Sequence, residues 1–259
     1  MIASRIAVQT RCFGQPFRQA LLTAGSLGCD GVQIDARSEL PAAELTDTAV
    51  RHLRKMLSDL NLRVASATFP TRRGFADPQD LDRRLEATIG AMRLVSRLGG
   101  RLLVVGLGEL PSEPDATDET LREALAALAP HADRLGVLIA WSAAASSLEP
   151  WRQCLELLPE GIAGFDLNPA ELIARGIRPR EFAQQFGARV LHVYANDALR
   201  SAGGSPAVET QLGRGQADFP ETLAALEEYG YRGWVTLQRN DPRRAAEELA
   251  DAVRFLRAI

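Results

Sequence analysis

The chain has 259 residues, 46% hydrophobic and 24% charged, with a formal net charge of −3. That composition excludes extended disorder, and the slight negative charge excludes a polybasic surface for nucleic acid or anionic lipid. The length suits one domain, 1–259, of the size of a (β/α)₈ barrel.

In chain order, the first residues carry no basic stretch followed by a long apolar core, and no run of roughly 18 apolar residues follows anywhere. A cytoplasmic protein with no membrane partner is expected. Strand-like runs fall at 6–8, 31–35, 63–67, 102–106, 136–140, 161–165, 189–194 and 234–238. Between them apolar residues recur at helical spacing, as in Leu81, Leu85, Ile89, Met92 and Leu98, or in Leu121, Leu125, Leu128 and Leu135. A last helix over 245–256 closes the chain. Glycines such as Gly28, Gly136, Gly176 and Gly230 end helices before strands, and prolines such as Pro150, Pro169, Pro179 and Pro220 open the next ones. Eight short strands with long crossovers predict parallel pairing and a single TIM barrel. The small-residue stretches 143–147 and 201–207 read as loops, the second flexible.

Several chemistries are excluded. Cys12, Cys29 and Cys154 form no C-x-x-C pair, so no zinc knuckle or disulfide scaffold is indicated. Lys55 is the only lysine, which removes Schiff-base chemistry elsewhere. There is no G-x-S-x-G, no P-loop and no strand–G-x-G-x-x-G–helix. A barrel places its site at the C-terminal strand ends. That rim holds Gln9, Arg11, Asp35, Thr68, Arg72, Arg73, Glu109, Trp141, Ser142, Asp166, Asn168, Tyr194, Asn196, Asp197, Gln238 and Asn240. Amides and guanidinium groups match hydroxyl and carbonyl oxygens, so the expected ligand is a small carbohydrate-like molecule.

Four stretches resemble the xylose isomerase-like sugar isomerase/epimerase barrels. They are Gly28-Cys-Asp-Gly-Val-Gln-Ile-Asp35, Gly164-Phe-Asp166-Leu-Asn168, Leu191-His-Val-Tyr-Ala-Asn-Asp-Ala-Leu-Arg200, and Gly213-Arg-Gly-Gln-Ala-Asp-Phe219 with the segment 223–238. The resemblance implies a divalent ion held by a Glu ending strand five, an Asp ending strand six, a His ending strand seven and a Glu ending strand eight. The same glutamates would move protons between sugar carbons. In this chain those places read Trp141, Asp166, Tyr194 and Gln238. The second-strand Glu reads Gln33, and the His three residues past the Asp reads Pro169. The strand-seven loop Arg is present as Arg200.

Trp is no ligand, Gln is no base, and a lone carboxylate is a poor site for a hard cation. The sequence therefore predicts no cofactor: the family's divalent metal and its aldose–ketose chemistry are expected to be absent, with Trp141 filling the ion's place. Two readings of the remainder stay open. In one, His192 is a base oriented by Asp166, Tyr194 is an acid, and Trp141, Asn196, Arg200, Gln238 and Arg72 bind substrate. In the other, Asp166, His192 and Tyr194 are a satisfied buried cluster in a non-catalytic polyol-binding or protein-interaction relative. Glu109 and Asp197 read as solvated charges or Arg partners, and His52 and His131 as outer-helix residues. DNA repair is disfavoured, because relatives in that role use several metals and this chain has three His. A homo-oligomer remains open.

Overall fold

The computed structural model describes residues 5–40, 45–110, 117–201, 206–243 and 245–259. The strands are β1 (Arg5–Gln9), β2 (Gly31–Asp35), β3 (Arg63–Phe69), β4 (Leu102–Glu109), β5 (Leu138–Ala144), β6 (Ala163–Leu167), β7 (Val190–Ala195), β8 (Asp197–Leu199), β9 (Val208–Thr210) and β10 (Trp234–Leu237). The helices are α1 (Phe17–Ser26), α2 (Asp47–Asp59), α3 (Leu81–Arg97), α4 (Thr117–Leu135), α5 (Glu149–Leu157), α6 (Pro169–Ala174), α7 (Pro179–Phe186), α8 (Phe219–Glu228) and α9 (Ala245–Ala258).

Eight strands close a parallel barrel in the order β1-β10-β7-β6-β5-β4-β3-β2. β10 is the eighth barrel strand and pairs with β1 from Arg5↔Trp234 to Val8↔Leu237. Among the described residues no helix is long and apolar enough to cross a membrane.

The main core fills the space between barrel and helices. Around β6 it is aromatic: Phe165 packs edge-on against Trp151 at 5.1 Å and against Phe186 at 5.6 Å. Such contacts are worth about 1 kcal/mol each beyond area burial. They pin Phe165 outward, and strand alternation then turns Asp166 into the barrel. The interior holds smaller groups, Leu102, Val104, Ala140 and Tyr194 in one and Ala7, Ala65 and Trp234 in another.

All eight expected strands form, but three start later than their sequence runs, β7 by one residue and β5 and β6 by two. Gly136 sits at φ 62°, and the Val137 amide still bonds to Ala132 O, so helix α4 holds this turn and β5 begins at Leu138. Gly161 likewise belongs to a turn, and β6 begins at Ala163. A further hairpin has no counterpart among the expected elements. β8 and β9 pair antiparallel through Asp197↔Thr210 and Leu199↔Val208. They flank the stretch expected to be a flexible loop, of which 202–205 lie outside the described residues.

Candidate functional site

The barrel interior is crossed by one polar network centred on Gln33, which is fully buried. Its Oε1 accepts from Gln9 Nε2 at 2.9 Å and from the Tyr194 hydroxyl at 2.8 Å. Its Nε2 donates to Ser66 Oγ at 2.9 Å and lies 3.3 Å from His192 Nε2. His192 is also fully buried, with Nδ1 2.7 Å from Asp166 Oδ1 and Nε2 2.8 Å from Thr236 Oγ1. A carboxylate only accepts, so the ring proton belongs on Nδ1. Nε2 then accepts from the Thr236 hydroxyl and the Gln33 amide. His192 has no lone pair left for a ligand. Tyr194 crosses the imidazole edge-on at 4.6 Å. Burial, then the charge of Asp166, push the Tyr194 phenol well above its ordinary pKa, so it is a neutral donor. Asp166 Oδ2 is buried without a hydrogen-bond partner.

Above this network, at the C-terminal strand ends, lies a cavity of about 290 Å³. Its polar lining includes Gln9, Arg11, Thr68, Ser142, Asn168 and Gln238. A second cavity of about 350 Å³, bordered by Thr71, Arg72 and Glu109, shares Gly106, Ser142 and Asn168 with it. Asn196 organises the amides from behind. Its Nδ2 donates to Asn168 Oδ1 at 2.9 Å and to Gln238 Oε1 at 2.7 Å. Both amide oxygens are thus engaged, and the mouth receives the NH₂ groups of Asn168 and Gln238. No described residue lining the first cavity is a carboxylate.

Most of the other rim charges are engaged. Arg11 pairs with buried Asp35 at 2.7 Å, and Arg239 pairs with Glu248 at 2.6 Å and with Glu209 at 3.3 Å. Desolvation raises the pKa of Glu209, and likewise of Glu39, which accepts from Thr10 and from the Asp35 amide. Glu109 pairs with Arg175. Cys12 is 3% exposed beside the cavity, and desolvation lifts its thiol from 9.0 to about 12. Arg72 is exposed and has no ion-pair partner among the described residues.

Three expected placements need correction. Trp141 does not face the ligand space: it packs edge-on against Phe75 at 5.2 Å in the outer core, while its neighbour Ala140 joins the inner cluster. The inward residue at the mouth of β5 is Ser142, and alternation along 138–142 carries that parity in the sequence. Arg200 lies outside the lining of both cavities, because the β8–β9 hairpin carries it outward and its guanidinium covers Gly176 beyond α6. Asp197 is no solvated charge. It is 1% exposed and accepts from the amides of Ala198, Gly213, Gly215 and Ala217. The tail motif of glycines is the cradle of that carboxylate: a Cβ on Gly215 would come within 2.2 Å of Asp197 Oδ1.

A family profile described as xylose isomerase-like TIM barrel matches residues 21–259. No curated protein matches the sequence. Among solved structures, a xylose isomerase domain protein from Planctomyces limnophilus superposes with a TM-score of 0.83 at 21% identity, covering 92% of this chain and 91% of that one. D-allulose 3-epimerase from Methylomonas sp., in complex with D-allulose, gives 0.77 at 18% identity over 99% and 98%. The 3-keto-D-glucoside 4-epimerase from E. coli gives 0.76 at 16% identity over 99% and 100%.

Proposed function

The chain belongs to the xylose isomerase-like TIM barrel family, and on that premise we propose that it binds a small polyhydroxylated ligand, a sugar, sugar acid or cyclitol, without the metal-dependent isomerisation its fold implies. The observation that carries the reading is the donor-rich mouth: Asn196 holds two amide oxygens away, so Asn168 and Gln238 offer N–H groups to ligand oxygens. Ser142 and Thr68 add hydroxyls, and Arg72 at the adjoining cavity suits a carboxylate. Cavities of this size fit a monosaccharide-sized molecule.

The residues do not fit a divalent ion. The four inward positions at the ends of β5, β6, β7 and β10 are Ser142, Asp166, Tyr194 and Gln238. They supply one carboxylate, whose Oδ1 is already bonded to His192. The phenol is neutral, and amide and hydroxyl oxygens are weak ligands for a hard cation. Among the described residues no three His, Cys, Asp or Glu come together in a way that could hold a metal.

Proton transfer by Asp166, His192 and Tyr194 is the weaker reading. His192 is sealed beneath the mouth with its acceptor nitrogen covered, and general-base catalysis needs that lone pair within reach of a substrate proton. The test is calorimetric titration with a ketohexose, an aldonic acid and a cyclitol, followed by proton NMR in D₂O. The reading expects saturable binding of at least one probe, no exchange of carbon-bound hydrogen, and roughly tenfold weaker binding in Gln238→Leu. Solvent deuterium entering a ligand carbon, or loss of binding on chelation, would refute it.

A further inference from the structure

A further cavity lies at the opposite end of the barrel, where the strands begin. It measures about 1030 Å³. Arg5 at the start of β1, Arg63 at the start of β3, Arg101 just before β4 and Arg54 on α2 all line it. No carboxylate lines it among the described residues. Asp59, next in sequence to the lining residue Ser58, is engaged by Lys55 at 2.9 Å, and Asp30, just ahead of β2, by Arg257 at 2.8 Å. Arg54, Arg63 and Arg101 have no ion-pair partner among the described residues, in a chain whose net charge is negative.

The floor beneath these cations is apolar. Leu102, Leu138 and Leu191 line the cavity and pack on the inner barrel cluster. The Trp234 indole closes the barrel beside Ala7 and Ala65. Its place depends on Gly31, where a Cβ would lie 2.9 Å from the ring. Arg5 is held over that indole at 4.9 Å and bonded to Arg232 O, so one guanidinium is fixed at the rim.

We propose that this end of the barrel is a second binding site, for an anion carrying an aliphatic chain: a carboxylate or phosphate head met by Arg63 and Arg101, its tail on the leucine floor. A small inorganic anion would leave the apolar floor in water. A neutral lipid would leave the four exposed arginines that line the cavity without a counter-charge. Only an amphiphilic anion satisfies both, and concave walls of low dielectric strengthen the pull on its charge.

The experiment titrates the full chain with decanoate, decanol and inorganic phosphate, by calorimetry and by the change in tryptophan fluorescence. The expected result is saturable decanoate binding, with decanol and phosphate each roughly tenfold weaker or worse. Arg63→Gln/Arg101→Gln should weaken decanoate by the same factor or more and leave decanol unchanged, with unaltered far-UV circular dichroism. Trp234→Phe should remove the fluorescence response and keep the calorimetric one. Absence of saturable decanoate binding overturns the proposal. So does undiminished binding in the double variant, or phosphate binding as tightly as decanoate.

Discussion

Replacing His192 with Ala tests whether the buried polar network is scaffold or catalyst. The imidazole is fully buried and bonds to Asp166 and Thr236, with Gln33 3.3 Å away. Its removal strands Asp166 completely, because Oδ2 already lacks a partner and Oδ1 then loses its own. A hydrogen bond to a charged group is worth about 2 kcal/mol, and breaking a buried pair by deleting one partner costs about 3–5 kcal/mol. A loss of about 4 kcal/mol is expected, or a fall in Tm of roughly 10 °C for a chain of this length. Adding Asp166→Asn should return about 1–2 kcal/mol, since a stranded amide is cheaper than a stranded carboxylate. Urea unfolding followed by circular dichroism and by fluorescence gives these values where the two transitions coincide. A His192→Ala protein within about 1 kcal/mol of the parent, yet unable to bind or turn over ligand, would refute the structural role.

Three further outcomes follow from the same geometry. Ser142→Glu/Gln238→Glu places two carboxylates beside Asp166 and should create Mn²⁺ binding visible by calorimetry; equal binding by the unmodified chain would contradict the donor-set argument. Asp197→Asn leaves one acceptor oxygen for four amides, so a cost of about 2–3 kcal/mol and faster amide exchange at Gly213, Gly215 and Ala217 are expected; unchanged exchange there would show that the carboxylate does not hold the loop. Burial raises Cys12 and Cys29 from 9.0 to about 12. Folding therefore favours the protonated thiols: their contribution is intact below pH 9 and is lost as pH rises toward about 12. Cys12→Ala/Cys29→Ala should flatten stability across that window in urea titrations, and an unchanged slope would assign alkaline unfolding to other groups.

The barrel was legible because its eight strands announce themselves by β-branched runs with glycine and proline between them. The site was legible only where parity was unambiguous. His192 and Tyr194 share a face by their spacing, and Asp166 meets His192 across the β6–β7 pair, as the alternation required. Trp141 misled because the residue just past the sequence run 136–140 is not the end of the strand. β5 runs to Ala144, and the outer core claims the indole. Thr236 and Ser66 carried no sequence cue, and Gln9 falls on the rim without any sign of its bond to Gln33. Each is an ordinary polar residue inside an apolar strand, and only closure of the cylinder shows that they meet. Asp197 was hidden for a different reason: three of its four partners are backbone amides from a segment 16 to 20 residues away.

The network accounts for why the mouth is free to hold neutral oxygens. A divalent ion at the strand ends would draw β5, β6, β7 and β10 together by charge. In this chain Gln33 and His192 join β1, β2, β3, β6, β7 and β10 one layer deeper, through hydrogen bonds that leave His192 no spare lone pair. Uncharged amides lose less on burial than an unpaired ion site would. Gln33, Ser66, Asp166, His192 and Thr236 are thereby kept out of the cavity lining, which Gln9 and Tyr194 of the same network reach, while Gln238 is held by Asn196 and Asn168 by Asn196 together with the Glu171 amide. Cohesion and recognition are thus separable. Asn196→Ala should release Gln238, leave Asn168 held only by the Glu171 amide and weaken ligand binding, while the buried network and most of the stability persist. An Asn196→Ala protein that bound every probe as tightly as the parent would show that amide orientation does not govern recognition.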